Sequence, residues 1–126
     1  MIPLIGEWIY KALSDLRSAK ILVDSSEESY DQVCFLAQQA IEKLLKAYLI
    51  KNNLGTSKTH DLLKLITDCS KINNSFLQWN NITLSRITSY AVDFRYPGET
   101  ATKEEANEAH ELADKLCKFI INELKK

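Results

Sequence analysis

Apolar positions recur at helical spacing in five segments of the chain. Over 7–24, Ile9, Leu13, Leu16, Ala19 and Val23 fall three or four residues apart, the signature of a helix with one buried face. Over 29–53, Val33, Leu36, Ala37, Ala40, Ile41, Leu44, Ala47 and Tyr48 make a continuous stripe, and Gly55 stands where a glycine ends a helix. A third helix starts near His60, with Thr59 as N-cap and Asp61 in the first turn. Its apolar side is Leu62, Leu63, Leu65, Ile66 and Cys69, and Asn73-Asn74 breaks it. A fourth lies within 75–94, interrupted at Asn80-Asn81 and ending before Pro97. The fifth covers 103–125, opened by a Thr102/Glu105 capping box, with Ala106, Ala109, Leu112, Ala113, Leu116, Phe119, Ile120 and Leu124 facing inward.

Composition agrees with long helices and few turns: 126 residues contain only 3 Gly and 2 Pro. This length fits a single domain over 1–126. The pattern predicts an all-α, up-and-down helical bundle with a four-helix core plus one additional helix. No apolar run reaches the ~20 residues of a membrane span, and MIPLIGEWIYK lacks the basic and apolar regions of a signal peptide. A cytoplasmic protein is therefore expected, with Cys34, Cys69 and Cys117 as buried free thiols; one disulfide with an odd thiol is the alternative.

Net charge is −1, which excludes a generally basic nucleic-acid coat but allows a local patch. Charge is unevenly spread. Four acids and no base lie between Asp24 and Asp31, and four lysines and no acid between Lys43 and Lys58. If all five helices alternate, the 54–59 and 95–101 loops meet at the end where helix 1 starts, placing His60 and Arg95 together at a basic end. Pro3, Gly6, Gly55, Pro97 and Gly98 would share that end. Macrodipole compensation explains the polarity; so does an anion site at the helix N-termini located there. On helix 2, Gln39, Glu42, Lys43 and Lys46 share a ~100° arc, either a solvated face with a Glu42–Lys46 pair or a strip lining a dimer groove.

Phosphate-loop, dinucleotide, HExxH and GxSxG motifs are all absent. With two distant histidines and no paired Cys/His ligands, neither a metal site nor a cofactor is expected.

Three fragments carry a family resemblance. Helix 2 reads Gln38-Gln39-Ala40-Ile41-Glu42-Lys43-Leu44-Leu45-Lys46-Ala47, helix 3 opens Thr59-His60-Asp61-Leu62, and the last loop reads Arg95-Tyr96-Pro97. In this order they resemble the HEPN domain (higher eukaryotes and prokaryotes nucleotide-binding), RYP type, over about 7–124. The resemblance implies a homodimer that often pairs with a minimal nucleotidyltransferase in a toxin–antitoxin system. It also implies, for many members, metal-independent RNA cleavage by an Arg-x(4–6)-His motif. Here the histidine after Arg95 is His110, fifteen residues on and inside helix 5, so that motif is absent and His110 reads as a surface or interface residue.

The expectation is a non-catalytic HEPN module that binds nucleotide or nucleic-acid phosphate through Arg95, Tyr96, His60, Lys43 and Lys46. One alternative is a ribonuclease toxin using Arg95 and His60. Another is a helical interaction scaffold without ligand.

Overall fold

The computed structural model describes residues 3–55, 58–93 and 97–126. They form α1 (Pro3–Asp24), α2 (Tyr30–Lys51), α3 (Leu62–Ser70), a short 3-10 helix (Asn74–Trp79), α4 (Ile82–Asp93) and α5 (Lys103–Leu124), with no strand among them. The all-α bundle is as the hydrophobic pattern predicts.

Several ends differ in detail, each for a local reason. Helix α1 begins at Pro3, whose fixed φ suits a first helical position, so Gly6 falls inside the helix rather than ahead of it. At the end of α2, Asn53 takes the left-handed conformation (φ 62°) in place of the expected Gly55. Its N–H reaches the Ile50 carbonyl at 3.1 Å and the Leu54 N–H reaches Leu49 at 2.9 Å, the paired bonds that satisfy orphan carbonyls at a helix C-terminus. Asp61, not Thr59, caps α3: its carboxylate accepts from the Leu63 N–H at 3.0 Å. The break at Asn80-Asn81 is present, and Asn81 accepts from the Leu84 N–H at 3.0 Å to start α4. The Thr102/Glu105 capping box is complete.

The four long helices alternate: α1 up, α2 down, α4 up, α5 down. Helix α3 is the additional one, and it does not alternate. His60, just before it, bonds to Gln38 midway along α2, and Cys69 near its end reaches the Leu45 carbonyl. Hence α3 runs in the same direction as α2. His60, where α3 is about to start, therefore lies more than half the height of α2 away from Asn53. This reverses the expected ends of α4 and α5. The Ala101 N–H donates to Asp31 at 2.6 Å, at the start of α2, and Lys51 at the end of α2 donates to the Leu124 carbonyl at the end of α5. Pro97–Ala101 therefore lies at the acidic end, opposite Gly55. The expectation that both loops and all five Gly and Pro residues share one end is overturned.

Helix α2 is the axis of the core. Val33, Cys34, Ala37, Ala40, Ile41, Leu44, Leu45, Ala47 and Leu49 are fully or almost fully buried, because α1, α3, α4 and α5 all pack on it. Beside its last turn an aromatic cluster closes the bundle: Phe76 lies 4.7 Å from Tyr48 and 5.0 Å from Phe119, and Trp79 5.6 Å from Phe119.

The parallel arrangement of α2 and α5 is testable. Asp31→Ala removes a charged acceptor from the Ala101 N–H and is expected to destabilise the fold by about 1–2 kcal/mol. Asp24→Ala, at an exposed position, should change stability by less than about 0.5 kcal/mol. Urea unfolding followed by circular dichroism measures both.

Candidate functional site: a carboxylate-held histidine

The stripe of α2 left between α1 and α3/α4 carries Gln38, Gln39, Glu42 and Lys46 at helical spacing. It is not a solvated face. Gln38, Glu42 and Lys46 are buried, at 0%, 4% and 6% exposure. Buried polar groups must be paired, and these are. The Glu42 carboxylate accepts from Gln38 Nε2 at 3.0 Å and Lys46 Nζ at 3.0 Å, and both its oxygens lie 3.0 Å from His60 Nδ1. Gln38 spends its second N–H on the His60 carbonyl at 3.1 Å, and its Oε1 accepts from Gln39 at 2.8 Å. Lys46 lies over the Trp8 ring, 6.0 Å from the centroid, so the indole face gives its ammonium a second favourable contact.

His60 is held twice. Its carbonyl accepts from Gln38 and from the Thr88 hydroxyl of α4, and that hydroxyl accepts from the Leu62 N–H at 2.9 Å. Its ring meets Glu42 through Nδ1 while the side chain stays 75% exposed. A carboxylate acceptor fixes the proton on Nδ1, which leaves Nε2 as the free nitrogen turned toward solvent. Such a nitrogen can bond a phosphate oxygen or exchange a proton with a hydroxyl.

The other expected residues fall in different surroundings. Lys43 pairs with Asp15 of α1 at 2.5 Å, about four-fifths buried on both sides. Lys43 and Lys46 thus each already hold a carboxylate. Arg95 and Tyr96 lie outside the described residues. Asp93, before them, is five residues past Thr88, about 7.5 Å of helix rise. His110 stands on the far side of α1, in a groove with Leu13, Leu16 and Arg17, apart from His60.

Trp8, Asp15 and Thr88 belong to the constellation and are not among the candidates the sequence offers; Gln38 enters there only as part of the fragment that carries the resemblance. The available signal was Gln38-x3-Glu42-x3-Lys46, one polar line along an otherwise apolar helix. Among the described residues no group of His, Cys, Asp and Glu could hold a metal, and no helix is long and apolar enough to cross a membrane. The thiols of Cys34, Cys69 and Cys117 are free and buried. Burial pushes each up to about 12, with nearby acids such as Glu105, Asp68 and Asp114 adding to it.

A family model, the HEPN domain, matches residues 5–124. No curated protein matches the chain. Among solved structures, TT1696 from Thermus thermophilus superposes with a TM-score of 0.76 at 25% identity, covering 94% of this chain and 96% of that one. ST0689, described as an archaeal HEPN homologue, superposes with a TM-score of 0.71 over the same shares, and at 22% identity that likeness speaks for the fold.

Burial makes two outcomes measurable. Glu42→Ala strands the buried Lys46 ammonium and should destabilise by about 3–5 kcal/mol, and adding Lys46→Met should recover most of that loss; chemical denaturation of the single and double variants checks this. The three thiols should be silent to a thiol-disulfide reagent at neutral pH in the native state, since the thiolate is the reacting form. All three should react at once in denaturant.

Proposed function

Because the chain belongs to the HEPN domain family, we propose that it is a HEPN module that binds nucleotide or nucleic-acid phosphate on the face presented by His60, working as a homodimer beside a minimal nucleotidyltransferase. The single observation that carries this reading is the exposed His60 imidazole, fixed through Nδ1 by a buried carboxylate. A histidine needed only for packing would not require that support. In this reading His60 Nε2 meets a phosphate oxygen. Arg95 supplies the guanidinium that grips phosphate in bidentate fashion, and Tyr96 stacks on the base. The short helical distance from Thr88 to Asp93 supports a shared site. Lys46 and Lys43 act from behind, by balancing Glu42 and Asp15 rather than by touching the ligand.

The Glu42–His60 pair favours a second reading, RNA cleavage. His60 Nε2 would take the proton of a ribose 2′-hydroxyl as its oxygen attacks the adjacent phosphorus. The bond to the 5′-oxygen breaks, the 5′-oxygen takes a proton from water, and a 2′,3′-cyclic phosphate remains. Arg95 would stabilise charge on the phosphorane oxygens.

Thermal shift against a nucleotide panel tests binding. A stabilising shift is expected that disappears in Arg95→Ala and weakens in His60→Ala, corresponding to about a tenfold loss of affinity or more. A shift untouched by both variants removes the site. Incubation with total RNA separates the readings. Cleavage products lost in both variants establish the enzyme, and intact RNA at binding-saturated protein leaves the binding module.

A further inference from the structure

On the other side of α1 from His60, a groove runs between α1 and α5. Two adjoining hollows of about 360 and 510 Å³ share Leu13, Leu16 and Asp114. The floor is apolar, formed by the half-buried Leu13, Leu16 and Ile121. Leu16 and Ile121 pack against the core with their outer faces left uncovered. The rim is basic. Arg17, Lys20, Lys118 and Lys125 line it against a single acid, Asp114, in a chain whose net charge is −1. Along α5 the lining extends from His110 to Lys125, about 22 Å of helix rise, the length of a four-turn helix.

We propose that this groove is a docking surface for an acidic amphipathic helix carried by a partner protein. A groove of helical length with Leu13, Leu16 and Ile121 in its floor takes the leucine-type face of such a helix, presented at i, i+3/i+4 and i+7. Four cations on the rim select carboxylates on its flanks. Lys118 now pairs with Asp114 at 3.1 Å and Lys20 with Asp24 at 2.8 Å, both on the exposed surface. Exposed pairs of this kind hold weakly, so both lysines are available to an incoming acid. The same charge count argues against a second copy. A two-fold contact sets the same patch against itself, four bases against four. The floor argues against nucleic acid, whose backbone offers nothing to Leu13, Leu16 and Ile121. Because α1 separates the groove from His60, a helix can bind here without covering the phosphate face, and the inference stands whether or not that reading holds.

The probe is a synthetic peptide of about four turns, with leucines at helical spacing and flanking glutamates. Its counterparts carry lysines for the glutamates or serines for the leucines. Fluorescence anisotropy near physiological salt should show the glutamate peptide binding at least about tenfold more tightly than either counterpart. Amide NMR shifts should fall on α1 and α5, not around His60. Arg17→Glu/Lys125→Glu, at two exposed positions, should lower the affinity about tenfold with the helical circular dichroism unchanged. Equal binding of the glutamate and lysine peptides overturns the proposal. So do shifts mapped elsewhere, absence of binding at about 1 mM, and a self-association abolished by the same double variant.

Discussion

A helix packed by four others has almost no face on which a charge can remain alone. Helix α2 is in that position, and its one remaining stripe carries Gln38, Glu42 and Lys46. Burying a carboxylate without partners is far too unfavourable to persist, so Glu42 must collect donors from whatever lies nearby. It takes one from the preceding turn, one from the following turn and one from His60. The third ties the α2–α3 connection to the middle of α2. That tie sets where α3 begins, and the start of α3 sets the direction of everything after it.

The consequence reaches both ends of the bundle. His60 lies more than half the height of α2 from Asn53, and nine-residue α3 returns part of that height, to the level of Leu45. Helices α4 and α5 then go up and down, and α5 lies parallel to α2. Helix number and core residues are legible in the sequence, as is the Thr102/Glu105 capping box, because periodicity and capping signals are properties of short segments; the ends of α2 and α3 are not, since Asn53 and Asp61 take the places expected of Gly55 and Thr59. Nor is the direction of α3. A connection of about ten residues reads the same whether it turns back or climbs, and the difference lies in what holds His60: its ring on Glu42 and the bonds from Gln38 and Thr88 to its carbonyl.

The candidate site was legible to a similar extent. His60, Lys43 and Lys46 stand out in the chain, and Glu42 shares the strip with the two lysines. Their burial could not be read, since the groups that cover them belong to other elements: Trp8 and Asp15 on α1, and His60 itself across the connection. A polar line on an amphipathic helix normally faces water. Here the line is Gln and Glu/Lys at four-residue spacing, a set that can satisfy itself internally, so folding can bury it.

The charge polarity now has a physical origin. Parallel neighbouring helices set like ends of their macrodipoles side by side, which adds to the partial charge at each end. At the start of α2 and α5 stand Asp31, Glu104 and Glu105, and Asp31 holds the Ala101 N–H just before α5. At their far ends Lys51 donates to the last residue of α5. Each such charge contributes about 0.3–1 kcal/mol, and together they offset the unfavourable alignment. Of the four lysines between residues 43 and 58, two neutralise buried or half-buried carboxylates and Lys51 closes a helix terminus. The run of bases therefore needs no anion to explain it. The proposed phosphate site rests on the geometry around His60, an exposed imidazole with a buried acid behind it, and not on the count of lysines.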